Sequence, residues 1–246
     1  MTGKPQFIPA SWSAPKNICA LTTTRSGGVS RGPYESLNLG DHVGDVADHV
    51  RRNRALLGQA LSLPTQPVWL KQVHGVNVVD ASKAPAGVTA DGAYTHQRGV
   101  VCAVLTADCL PVFLCDRRGT AVAVLHAGWR GLAAGIIEAG VRALGIAGDE
   151  LIARVGPGIG PGSYEVGDEV REIFERQNPA AAVAFLPHGG GRWLADMGEL
   201  AQLRLRALGL TQISVDEACT FRDRDKFFSF RRDGVCGRMA SLIWIE

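Results

Sequence analysis

Short continuous hydrophobic runs alternate along this chain with longer amphipathic stretches, a pattern that predicts strands interleaved with helices. Ile18 to Thr24 (ICALTTT) reads as a strand, and Arg25-Ser26-Gly27-Gly28-Val29-Ser30 as a loop whose glycines open backbone conformations closed to other residues. The polar stretch from Tyr34 to Gly40 continues that loop. The spacing of Val46, Val50, Leu57 and Leu61 predicts a helix, with Asp45 as its cap and Pro64 just beyond its end. Strands are expected over Pro67 to Val73 and Val76 to Val79, with Gln72-Val73-His74-Gly75 at their junction, so His74 is a turn residue. Two apolar runs follow. Ala103 to Leu105 leads into Thr106-Ala107-Asp108-Cys109-Leu110-Pro111; after the charged turn Asp116 to Gly119, Ala121 to Leu125 leads into His126-Ala127-Gly128-Trp129-Arg130-Gly131.

Leu132, Ile136, Ile137, Val141 and Leu144 then mark one amphipathic helix that Gly145 stops. Leu151 to Val155 reads as a strand, the glycine-proline run from Gly156 to Gly162 as a tight loop, and Val166 to Gln177 as a helix. A strand and a helix near Met197 to Leu208 come next. The last third reads as a strand from Gln212 to Asp216, a turn at Ala218 to Thr220, an aromatic strand from Phe227 to Arg231, and Arg238 to Ile245. Strands and helices alternate without a repeated βα period, which favours mixed-sheet α/β (α+β layers). No linker divides the chain, so residues 1–246 are expected to form a single domain.

Composition narrows the function classes. A net charge of +2 gives no reason to expect nucleic acid as a partner, and the cluster Arg51, Arg52 and Arg54 reads as the solvated face of a helix. Neither a secretion signal nor a membrane span is visible, so a soluble, cytoplasmic protein is expected. The six cysteines show no paired framework and are expected to be thiols filling core space. Cys109, in a polar turn, is the exception.

His74, Cys109 and His126 offer one thiolate and two imidazoles, ligand types that suit zinc, and three protein ligands leave a fourth position open for water or substrate. Their separations of 35 and 17 residues match no short zinc-finger pattern. The same residues could instead be hydrogen-bonded structural groups, or a cysteine nucleophile with a histidine base that Asp108 orients. A His₂Cys set also suits copper, but a multicopper oxidase needs a trinuclear centre, and only six histidines are present with no His-x-His pair. Arg130, between small neighbours and beside Trp129, is the better candidate for binding an anion; the loop from Gly156 to Gly162 fits no phosphate-binding pattern. Phe227, Phe228 and Phe230 are expected in the core rather than stacked on a purine. Of Arg231 and Arg232, one is expected in the pocket and the other in solvent.

The motifs Thr22-Thr-Thr-Arg25-Ser-Gly-Gly-Val-Ser30, Ser36-Leu-Asn-Leu-Gly40, Gln72-Val-His-Gly75, Thr106-Ala-Asp-Cys-Leu-Pro111, His126-Ala-Gly-Trp-Arg-Gly131, Tyr164-Glu-Val-Gly167 and Phe227-Phe-Ser-Phe-Arg-Arg-Asp-Gly234 together resemble the YfiH-type family, once called laccase-domain or polyphenol oxidase proteins. The match starts near residue 18 and leaves residues 1–17 as an N-terminal extension. The resemblance implies a single-domain alpha/beta/beta/alpha sandwich related to cytotoxic-necrotizing-factor-like cysteine hydrolases. It implies zinc, or copper, held by His74, Cys109 and His126, with Arg130 as a further catalytic residue and Arg25, Asn38, Asp108, Tyr164 and Arg231 binding substrate. The implied reaction is phosphorolysis of purine nucleosides (adenosine, inosine, guanosine, methylthioadenosine), with adenosine deaminase activity beside it. Editing of peptidoglycan precursors, copper-dependent phenol oxidation and non-catalytic metal binding are the alternatives. Two departures stand out: Gly160-Pro-Gly-Ser-Tyr164 where many relatives carry cysteine, and Phe230 where tyrosine is common.

Overall fold

In the computed structural model, which describes residues 3–246, the chain opens with β1 (Phe7–Pro9), β2 (Ile18–Thr23), α1 (Ala47–Leu61), β3 (Val78–Asp80), β4 (Gly92–Thr95) and β5 (Cys102–Thr106). The middle comprises β6 (Leu110–Asp116), β7 (Val122–Ala127), α2 (Trp129–Ala134), α3 (Ile136–Leu144), β8 (Leu151–Val155), β9 (Glu165–Gly167) and α4 (Asp168–Gln177). It closes with β10 (Phe185–Gly189), β11 (Arg192–Ala195), α5 (Met197–Ala207), β12 (Gln212–Val215), α6 (Phe230–Asp233) and β13 (Met239–Ile245). Strands β1-β2-β13-β5 form an antiparallel sheet, β12-β8-β6-β7-β4-β3 a mixed sheet, and β10-β11-β9 a small antiparallel one.

Period-two alternation sets the layers, because successive strand side chains point to opposite faces. In β5, Cys102 and Val104 join the core between the two large sheets, while Ala103 and Leu105 face Leu57 of α1. In β6, Phe113 and Cys115 point between the sheets, while Val112 and Leu114 pack with Ile136 and Ile137 of α3 and Leu200 of α5. The order is therefore helix, four-stranded sheet, six-stranded sheet, helices: the expected alpha/beta/beta/alpha arrangement. Near-continuous apolar runs in β5, β6 and β7 follow from burial on both faces, and each fully buried Leu, Ile or Phe contributes about 1.5–3 kcal/mol. At the other end of the first sheet, β1 pairs with β2, and Trp12 sits on Phe113 with ring centroids 6.3 Å apart.

Several sequence expectations are corrected. The turn after Leu105 is shorter than expected, and Leu110–Asp116 is a separate central strand; Pro111 is tolerated near its start. Strand β4 was not anticipated, since its glycine and small residues carry little pattern. Pro67 to Val73 makes only isolated bridges, Val68 to Cys102 and Lys71 to Thr89. The helix after His126 breaks at Gly135, whose φ of +100° ends α2 and starts α3. Residues Glu165–Gly167 are strand rather than helix, and a β10-β11 hairpin precedes α5.

Four side-chain readings change as well. Val46, not Asp45, occupies the N-cap of α1; the Asp45 carboxylate instead accepts from Ser30 Oγ and Asn38 Nδ2. Arg51 and Arg52 are exposed, but Arg54 lies over Trp69 and donates to the Leu39 carbonyl. Phe227 to Arg231 is not a strand: Phe227 and Phe228 are buried, and Phe230 starts the one-turn α6 with its ring exposed. Among the described residues, no helix is long and apolar enough to cross a membrane.

Candidate active site

The β6-β7 hairpin pairs Leu110 with Ala127 and Pro111 with His126, so the end of β7 lies beside Cys109, the residue just before β6. His74 reaches the same point from the preceding loop, its backbone at φ +60°. The Nε2 of His74 lies 3.8 Å from Cys109 Sγ, and the two imidazoles meet edge to face with centroids 4.7 Å apart. His126 is buried, Cys109 half-buried and His74 exposed. The group opens towards solvent on one side.

Asp91, fully buried, holds this cluster together. One carboxylate oxygen accepts from His74 N at 2.8 Å and bonds His126 Nδ1 at 2.9 Å; the other accepts from Val73 N at 3.2 Å and Gly75 N at 2.7 Å. The same residue's carbonyl accepts from His126 N at 2.7 Å. Asp91 therefore fixes the ring orientation of one histidine and the backbone of the other. Asp108 does not orient the histidine: its carboxylate is taken by Thr220 Oγ1 and Arg231 N, both at 2.6 Å, and its φ of +92° shapes the turn that presents Cys109. Gln72 clamps the His74 loop to β5, its side-chain amide exchanging two hydrogen bonds with the backbone of Leu105.

Charge follows from these contacts. Burial alone would raise the Cys109 thiol, but His126 and His74 pull it down to about 6. Burial would lower His126, but Cys109 and Asp91 outweigh it and push the imidazole up. Asp91 is held below the usual carboxylate range against its burial by His126 and the loop N–H groups.

His74, Cys109 and His126 bring three ligand atoms within 4.8 Å of one another. A tetrahedral metal with bonds of about 2.3 Å to sulfur and 2.0 Å to nitrogen needs ligand atoms roughly 3.5 Å apart, and the 3.8 Å from Cys109 to His74 is close to that. A carboxylate on the far nitrogen of His126 is the arrangement that aligns metal-binding histidines. The donor set fits a metal. Gly128 explains how it stays open, because a Cβ there would stand 2.8 Å from the His74 ring and 2.9 Å from Cys109 Sγ.

A cavity of about 520 Å³ opens on the cluster. It brings together His74, Asp108, Cys109, His126, Arg130, Tyr164 and Arg231, all singled out in the sequence. Arg130 stacks on Trp129 at 4.4 Å; Arg231 lies 4.9 Å from the Tyr164 ring centre and donates to the Glu165 carbonyl. Two expected substrate residues are not among its lining. The Asn38 amide is spent on Gly40, Asp45 and Arg238 N, and Arg25 donates to the carbonyls of Glu35 and Arg224 over the Phe228 ring. Arg232 does not reach solvent as expected, but folds under the carbonyls of Thr220, Phe221 and Phe227. Sequence reading missed Asp91, Gln72, Thr106 and Arg238. The one available signal for Asp91 was the tripeptide Thr89-Ala90-Asp91, which repeats as Thr106-Ala107-Asp108.

Residues 19–246 match a family described as multi-copper polyphenol oxidoreductase laccase. The chain is 48% identical over 241 residues to an Escherichia coli (strain K12) protein named purine nucleoside phosphorylase YfiH, covering 98% of this chain and 99% of that one. It is 45% identical over 243 residues to a Haemophilus influenzae protein named purine nucleoside phosphorylase, covering 98% and 100%. Among solved structures, a Neisseria meningitidis protein of family DUF152 superposes with a TM-score of 0.95 at 48% identity, covering 98% and 99%. YlmD from Geobacillus stearothermophilus superposes at 0.90 with 33% identity, covering 99% of each chain.

Proposed function

This chain belongs to the YfiH family, described as multi-copper polyphenol oxidoreductase laccase, and from that premise we propose that it is a purine nucleoside phosphorylase acting through the His74, Cys109 and His126 cluster. The observation that carries the reading is that one cavity unites this cluster with the guanidinium groups of Arg130, Arg231 and Arg238 and an aromatic wall. Arg130 and Arg231 present planar donor forks, each held by an aromatic ring, which suits the bidentate binding of phosphate. Names of relatives agree: the Escherichia coli and Haemophilus influenzae proteins are called purine nucleoside phosphorylases.

In the proposed reaction a phosphate oxygen attacks C1′ of the ribose. The carbon–oxygen bond forms as the glycosidic bond breaks, its electron pair leaves with the purine, and the proton that the hydrogen phosphate nucleophile gives up passes to the departing base. The arginines hold the nucleophile against that carbon, and positioning of this kind accounts for a large share of such a rate enhancement. Zinc held by His74, Cys109 and His126 would supply Lewis-acid polarisation at that end of the cavity. Copper suits the same donors, but among the described residues this is the one group of three or more potential metal ligands, which does not make a multicopper oxidase. Adenosine deamination needs a proton carrier as well as a metal. Asp108 is the sole carboxylate lining the cavity among the described residues and both its oxygens are engaged, so phosphorolysis is the better-supported reading.

The test is phosphate-dependent release of free base from adenosine and inosine, with metal content quantified, beside Cys109→Ala and Arg130→Gln. Arg130→Gln should raise KM for phosphate about tenfold or more while leaving stability within about 0.5 kcal/mol, since the side chain is exposed. Base release independent of phosphate, or unchanged by Cys109→Ala, overturns the assignment. Zinc binding with no nucleoside turnover would favour hydrolysis of a cell-wall precursor at the same cluster.

A further inference from the structure

Buried hydroxyls in this fold find partners almost everywhere. Thr22 Oγ1 pairs with Ser241 Oγ at 2.8 Å, Thr23 Oγ1 accepts from Ala240 N at 2.9 Å, and Thr220 Oγ1 donates to Asp108 at 2.6 Å. Thr106 is different. It is 1% exposed, yet its Oγ1 has no hydrogen-bond partner among the described residues. An unpaired buried hydroxyl costs about 1–3 kcal/mol, so its persistence calls for a reason. Among the described residues three other side chains carry a buried polar atom without a hydrogen-bond partner, His49, Glu138 and Ser214, and of the four Thr106 alone lines the active-site cavity.

Its place in β5 says what it faces. Cys102 and Val104 point between the two large sheets, so Thr106 points the same way, as does His126 on β7 after Val122 and Val124, and both residues line the cavity. Cys109 lies three positions further along the chain, a span of at most about 10 Å, which a purine ring system can bridge. With phosphate at Arg130 and Arg231 and C1′ at the cluster, the base is the part of a nucleoside left to occupy the rest of the cavity, which Thr106 lines. A hydroxyl both donates and accepts, so it can meet a 6-oxo or a 6-amino group by rotating about one bond.

We propose that Thr106 Oγ1 is a specificity-determining hydrogen-bond partner of the 6-substituent of the purine, and that it lets one site accept both 6-amino and 6-oxo nucleosides. This rests on the phosphorylase reading. The experiment compares adenosine, inosine and purine riboside, which bears only hydrogen at C6, in the wild type, Thr106→Val and Thr106→Ser, with Tm recorded for each. Valine keeps the shape and removes the hydroxyl. It should raise KM for adenosine and inosine roughly five- to tenfold, leave purine riboside within about twofold, and hold or raise Tm. Serine should restore adenosine and inosine to within about threefold of the wild type. Unchanged KM values in Thr106→Val, or an equal loss on purine riboside, overturn the proposal while leaving the phosphorylase reading intact. Failure of the wild-type protein to cleave any of the three removes both.

Discussion

Replacing Asp91 by asparagine tests both the proposed metal site and the folding that this carboxylate supports. The carboxylate accepts four hydrogen bonds in two pairs: His74 N and His126 Nδ1 on one oxygen, Val73 N and Gly75 N on the other. An amide keeps one oxygen and turns the other into a donor. Whichever way it lies, one pair of donors faces an NH₂ group. Two unsatisfied donors cost about 1–3 kcal/mol each when buried, and since Val73 and His74 are exposed enough for water to compensate in part, a loss of about 2–3 kcal/mol is expected. Metal affinity should fall as well, by a comparable free energy. Losing the carboxylate partner of a ligating histidine typically weakens a site 10–100-fold, about 1.4–2.8 kcal/mol. Urea denaturation of metal-free protein gives the first quantity, and zinc competition against a chromogenic chelator gives the second. Zinc affinity within twofold of the wild type in Asp91→Asn would refute the reasoning.

Three further outcomes are expected. Gly128→Ala should cut zinc binding at least tenfold while retaining cooperative unfolding, because its methyl would stand 2.9 Å from Cys109 Sγ and displace the cluster rather than the core; wild-type zinc affinity would count against it. Iodoacetamide at neutral pH should label Cys109 of metal-free protein ahead of buried Cys102 and Cys115, whose thiols burial pushes up, and zinc should protect it; peptide mass spectrometry reads the order. Burial would raise Asp116, but hydrogen bonds from Thr120 and Ala121 hold it below the usual carboxylate range. A depressed folded pKa stabilises fully above the unfolded value of about 3.9 and is lost as pH falls through the folded one. Urea midpoints should therefore drop on acidification below about pH 4, by less in Asp116→Asn; equal drops would exclude Asp116 as a contributor.

What the sequence made legible follows from which forces act locally. Buried strands such as β7 and β8 are near-continuous apolar runs, interrupted only by His126 and Arg154, and the α3 face repeats at helical spacing, so both could be read directly. The turn between β5 and β6 could not be placed, because Thr106 to Pro111 carries polar and proline residues on strand as well as turn positions. Aromatic Phe227 and Phe228 read as strand for a related reason: their burial is real, but the backbone there makes no ladder and is held instead by the Arg232 guanidinium on neighbouring carbonyls. Burial and secondary structure part company at such places.

The site divides along the same line. His74, Cys109, His126 and Arg130 were legible because reactive side chains among glycines at strand ends are hard to explain as packing. Asp91 was not, since an aspartate before a glycine reads as an ordinary turn, and its meaning lies in contacts with residues 16 to 35 positions away. Yet it is the residue that joins two separate motifs, those of His74 and His126, in one site. A single buried carboxylate sets the His126 ring and the backbone carrying His74, so neither imidazole can shift without disturbing the other. Cys109 is placed independently, by the β6-β7 register and the strained turn at Asp108. Two rigid supports therefore converge on the His74, Cys109 and His126 cluster, one through Asp91 and one through the sheet, and preorganisation of this kind lets three candidate ligands meet without a short spacing motif.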